Sequence, residues 1–102
     1  MYLVQILLPL SDNDGVPFAP SEYEDVRTCL TERFGGVTAY VRAPAEGHWK
    51  EGEGSTARDE IAIYEVMVGS LDRPWWAEFR ERLRERFRQE ELVVRATAIE
   101  LL

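Results

Sequence analysis

Apolar positions recur along this chain with a period of two in some stretches and of three to four in others, and the switches between the two periods divide it into six elements. Residues 2–10 set Val4, Ile6 and Leu8 against Leu3, Gln5 and Leu7, with both faces mainly apolar. That is the pattern of a central strand, ended at Pro9 because proline has no N–H to give to a ladder. Residues 11–19, with Asp-Asn-Asp-Gly at their centre, read as a loop. Ser21 and Glu24 have the S-x-x-E spacing of a capping box, predicting a helix that runs to about Phe34. Tyr23, Val26, Leu30 and Phe34 form its apolar stripe, and Gly35-Gly36 stops it.

A second strand is predicted over residues 37–43, with Val37, Ala39, Val41 and Ala43 toward the core and Thr38, Tyr40 and Arg42 away from it. Regular periodicity lapses over 44–58, a stretch long for a structureless loop in a compact domain. Residues 48–50 are expected to extend the ladder past a bulge near Pro44, with a turn at 51–54. Over Ile61–Val68, Ala62, Tyr64, Val66 and Val68 take the core face, and Ile61, Ile63, Glu65 and Met67 the other. Asp72-Arg73-Pro74 starts a second helix with Pro in its first turn. Its stripe of Trp76, Phe79, Leu83 and Phe87 repeats the spacing of the first. Glu78 with Arg82, Glu81 with Arg84, and Glu85 with Arg88 are expected to pair along it. A last strand is predicted over 92–102, with Leu92, Val94, Ala96 and Ala98 on the core face and Val93, Arg95, Thr97, Ile99 and Leu101 on the other.

Strand, helix, strand, strand, helix, strand with right-handed crossovers is the α+β, ferredoxin-like βαββαβ arrangement. It predicts one domain over residues 1–102, a four-stranded antiparallel sheet with two helices on one face, and the first and third strands in the middle. The opposite face collects Leu3, Leu7, Ile61, Ile63 and Ile99 around polar Gln5, Tyr40, Arg42, Glu65 and Arg95. An apolar patch of that extent is more than a soluble monomer usually exposes, and the expected cover is a second copy pairing sheet to sheet.

Charge narrows the partners. A formal net charge of -7 argues against nucleic acid, whose binding requires neutralised phosphates. The one concentration of arginines, Arg73, Arg80, Arg82, Arg84, Arg86 and Arg88, is balanced by as many carboxylates within the same helix region. Cys29 is the only cysteine, so neither an intrachain disulfide nor a thiolate metal cage is expected, and a reducing, cytosolic compartment is the simplest expectation. Neither a signal peptide nor a membrane span is expected from the hydropathy pattern.

Candidate chemistry is sparse. His48, between Gly47 and Trp49, titrates near neutrality and is a candidate acid, base or single ligand. The plainer reading is an exposed loop histidine, since no second His or Cys completes a transition-metal site, and no cofactor or metal is implied. Glu65 with Gln5, Tyr40, Arg42 and Arg95 is the stronger constellation. A carboxylate partly desolvated there is a candidate base, with Arg42 or Arg95 holding a small anionic ligand. The same residues also fit a salt-bridged network inside a dimer interface, which is the favoured alternative. Trp49 and Trp75 are candidates to line a cleft or interface.

Phe34-Gly35-Gly36-Val37-Thr38, Gly47-His48-Trp49 and Arg86-Phe87-Arg88-Gln89-Glu90-Glu91-Leu92-Val93 look like the pattern of a small bacterial family of unknown function. The resemblance implies a ferredoxin-like domain of the dimeric αβ-barrel type and supplies no catalytic residue. His48 departs from the polar residue more general at its position, so the resemblance gives it no role. Three readings follow: a homodimer without catalysis, which is favoured; a small dimeric αβ-barrel enzyme of the cofactor-independent oxygenase or isomerase type, using Glu65; and a module binding a ligand or protein through the 44–58 hairpin. The residues do not decide whether the chain is an enzyme.

Overall fold

The computed structural model describes residues 1–42 and 60–102, and of Arg42 the backbone. The elements are β1 (Tyr2–Pro9), α1 (Pro20–Phe34), β2 (Thr38–Arg42), β3 (Ile61–Val68), α2 (Arg73–Arg86) and β4 (Val94–Ala98). The sheet order is β2-β3-β1-β4 with every pairing antiparallel, the ferredoxin-like order that the sequence predicts. The expected ladder extension at 48–50, with His48 and Trp49, lies outside the described residues.

Both stripes of apolar residues face the same side of the sheet. Val26 and Leu30 of α1 and Trp76, Phe79 and Leu83 of α2 are buried with Val4, Ile6 and Leu8 of β1 and Ala62, Tyr64, Val66 and Val68 of β3. Phe87, fully buried, closes one end against Phe18 and Tyr23, with ring centroids 5.0 and 5.5 Å away. At the other end Phe34 stacks on Trp76 at 5.2 Å. Trp75, for which the sequence suggests a cleft or interface, instead packs edge-on to Phe34 and Trp76, and Arg33 lies over its ring at 4.4 Å.

The two helices start differently, and only one as the sequence suggests. Asp72 caps α2 by accepting from the Trp75 N–H at 3.2 Å, and it also meets Arg33 of α1 at 3.2 Å. In α1 the capping box does not form: Ala19 occupies the cap without a side-chain bond, and Pro20 takes the first helical position. A proline there has its φ already set and no N–H to satisfy, so the helix begins one residue before Ser21 and leaves that hydroxyl past the cap. Gly35 ends α1 in the left-handed region at φ 84, its N–H returning to the Thr31 carbonyl at 2.8 Å.

The edge strands depart from expectation in the same way. By alternation Ala39, Val41, Ala96 and Ala98 lie on the helix side, yet all four are exposed. Two helices cover the two central strands and reach the edges only at Val37 and Val94. The last strand is correspondingly short, five residues in place of the eleven predicted, and Leu92 is buried ahead of it. Of the three ion pairs expected along α2, only Arg84 with Glu81 forms among the described residues. Arg86 instead crosses to Glu22 and Asp25 of α1, whose hydrogen bonds raise its pKa, and Arg88 reaches Asp12 at 3.5 Å.

Tyr23 donates its hydroxyl to the Pro9 carbonyl at 2.6 Å and so ties α1 to the end of β1. Burial first, then the neighbouring Tyr64 and Glu22, push its phenol from 10.0 up to about 12. A pKa raised by folding means that the fold favours the protonated phenol. Its contribution is therefore complete below about pH 10 and lost as the pH climbs from there to about 12. Ultraviolet titration should accordingly show a late tyrosine ionisation together with unfolding, and Tyr23→Phe should remove that late phase. Trp76→Ala and Phe87→Ala should each cost about 3 to 5 kcal/mol in urea denaturation, as expected for large side chains removed from a packed core.

Candidate functional site

The register of the sheet brings the candidate residues into one row. Thr38 of β2 lies opposite Glu65 of β3, Glu65 opposite Gln5 of β1, and Gln5 opposite Arg95 of β4. Directly opposed residues share a face, so these four project from the side away from the helices. Tyr40, two residues along β2 from Thr38, reaches the row diagonally. Its hydroxyl donates to Glu65 Oε1 at 2.8 Å, the Gln5 Nε2 donates to the same oxygen at 2.6 Å, and Arg95 Nε donates to Gln5 Oε1 at 2.9 Å.

Gln5 is the relay. Its amide has one oxygen that accepts and one nitrogen that donates. With the oxygen held by the Arg95 guanidinium, the nitrogen is turned toward Glu65. The result is a directed chain from Arg95 through Gln5 to Glu65, with Tyr40 entering from the other side.

The described residues form a hydrogen-bonded row; the salt-bridged network that the sequence suggests would lie inside a dimer interface and involve the Arg42 side chain, which is outside the described residues. Among the described residues Glu65 makes no ion pair, both of its donors are neutral, and its Oε2 accepts no hydrogen bond. The reason is lateral distance: β1 lies between β3 and β4, and two strand spacings amount to about 9.6 Å. Arg95 is hydrogen-bonded to Gln5, and Gln5 in turn to Glu65. Arg42 is opposite Ile61, four residues from Glu65 and about 13 Å along the strand.

Around the polar row the face is apolar. Leu3, Leu7 and Ile61 are half-buried, while Met67 and Val93 are 55% and 48% exposed. Ile63, between Leu7 and Tyr40 in the register, is only 1% exposed although it lies outside the core cluster on the helix side. Alternation places Ile63 correctly on the open face; its burial has no signal in the period.

Sequence reasoning offers no hint of two concavities beside α2. One, of about 450 Å³, lies between α2 and the approach to β4 and is lined by Arg80, Glu81, Arg84, Glu90 and Leu92. The other, of about 120 Å³, lies between the helices beside Cys29 and Arg86. On these walls Arg84 and Arg86 are already engaged by carboxylates. Among the described residues no group of three His, Cys, Asp or Glu is placed to hold a metal, and no helix is long and apolar enough to cross a membrane.

The shared oxygen makes Tyr40 and Glu65 energetically coupled. A double-mutant cycle of Tyr40→Phe and Glu65→Gln, read by urea denaturation, should give a coupling of about 0.5 to 1.5 kcal/mol. Strictly additive costs would show that the bond does not persist in solution.

No family model matches the chain, and no curated protein matches it. Among solved structures it is similar to a phage SAM lyase in complex with S-methyl-5'-thioadenosine, at 13% identity and a TM-score of 0.61, over 94% of this chain and 79% of that one. A likeness at this identity shows a common fold, the small α+β arrangement described above.

Proposed function

We propose that two copies of this chain pair through their open sheet faces and enclose between them a small-ligand site centred on Glu65. The observation that carries the reading is the directed row Arg95, Gln5, Glu65 and Tyr40, set in an apolar surround of Leu3, Leu7 and Met67. A few convergent polar groups on an apolar wall is the general character of ligand sites. Exposed Met67 and Val93 gain from being covered, and a second sheet supplies apolar cover at matching spacing. The free thiol of Cys29 is consistent with a cytosolic setting.

An enzymatic reading, a small αβ-barrel lyase, isomerase or oxygenase with Glu65 as the base, is favoured by one feature: a carboxylate oxygen with no hydrogen bond from any described residue. The structural neighbour acts on SAM and holds a thioadenosine, so these two compounds are the first to offer. Sedimentation at micromolar concentration should give twice the 11.8 kDa chain mass, and Met67→Lys with Val93→Lys should return a monomer. SAM or S-methyl-5'-thioadenosine should raise the melting temperature of the wild type and leave Glu65→Gln unmoved. A monomeric wild type would remove the pairing, and an unchanged ligand shift in Glu65→Gln would place the site elsewhere.

A further inference from the structure

Resting on the reading that Glu65 marks a ligand site, we propose that the ligand is a zwitterion, its cationic centre over Glu65 and its anionic end toward Arg95. Two unsatisfied ends point to this. At one end, Glu65 is half-buried and held by the neutral Gln5 amide and the neutral Tyr40 hydroxyl, both on Oε1, so its negative charge meets no opposite charge among the described residues. A carboxylate on an apolar wall is favoured by a cation at its second oxygen.

At the other end, Arg95 uses only Nε for Gln5, and its two terminal nitrogens donate to no described residue. They are the part of a guanidinium that grips a carboxylate in parallel. Gln5 lies between the two ends and keeps them apart by about two strand spacings, roughly 9.6 Å at the backbone. Such a separation suits a ligand with opposite charges at its two ends better than it suits an ion pair within the protein. A purely anionic ligand would have to approach the uncompensated carboxylate, and a purely cationic one would leave Arg95 unused.

The test is a charge series of one shape: 6-aminohexanoate, hexylamine and hexanoate, titrated by NMR against the wild type, Glu65→Gln and Arg95→Gln, with circular dichroism confirming that each variant folds. The wild type should bind 6-aminohexanoate best and hexanoate worst. Glu65→Gln should weaken 6-aminohexanoate and hexylamine by about tenfold, a charge-assisted hydrogen bond's worth, and leave hexanoate unweakened. Arg95→Gln, at an exposed position, should weaken 6-aminohexanoate by about two- to fivefold and leave hexylamine unchanged. Hexanoate binding as well as 6-aminohexanoate would overturn the zwitterion assignment while the site itself stood, whereas Glu65→Gln binding all three as the wild type does would place the site elsewhere and overturn both. If none of the three, nor SAM, moves resonances of the open face, the ligand site falls and the inference with it.

Discussion

Eight residues of β1 face eight residues of β3 in unbroken antiparallel register, from Tyr2 opposite Val68 to Pro9 opposite Ile61, and the remaining structure hangs on that pairing. Side chains alternate with a period of two, so a slip of one residue would turn Val4, Ile6 and Leu8 out of the core and put Gln5 into it. The same register that buries those three residues against the helices sets Gln5 opposite Glu65 on the other face. Core and candidate site are two consequences of one alignment.

The helices secure this pair from one side only. Their apolar stripes meet β1 and β3, with aromatic groups closing both ends, Phe87 with Phe18 and Tyr23 at one and Phe34 with Trp75 and Trp76 at the other. Their charges work between elements more than along them: Arg86 joins α2 to α1, Arg33 joins α1 to the cap of α2, and Arg88 joins the end of α2 to Asp12. These pairs are largely exposed, so each adds little stability, and their value lies in fixing how the helices sit on the sheet. On the opposite face the Glu65 carboxylate is held, among the described residues, by neutral donors.

A fold of this kind does not carry a function with it, and the likeness to a phage SAM lyase is a likeness of architecture. What distinguishes this chain is local. A relay glutamine, oriented by an arginine on one neighbouring strand, presents its amide nitrogen to a carboxylate on the other, and a tyrosine from the next strand completes the hold on one oxygen. Among the described residues, the second oxygen and the arginine's outer nitrogens accept or donate no hydrogen bond.

The period of the apolar residues was enough to determine the order of elements, the extent of β3, the buried stripes of both helices and the face on which Gln5, Tyr40, Glu65 and Arg95 stand, because each of these depends only on neighbours a few residues away. Strand pairing order followed as well, from the handedness of the two crossovers. The bonding within the row did not follow: the order already put β1 between β3 and β4, but that Arg95 holds the Gln5 oxygen and so turns the Gln5 amide toward Glu65 is side-chain geometry that no local pattern records. The same holds for the exposure of Ala39, Val41, Ala96 and Ala98, set by how far two helices spread over four strands, for the burial of Ile63 on the open face, and for Trp75, which Phe34 and Arg33 draw into the core's edge. Even the start of α1 turned on competition between two local signals, in which the fixed φ of Pro20 prevailed over the capping hydroxyl of Ser21. Periodicity specifies which way a side chain points; only the packed structure decides what it meets there.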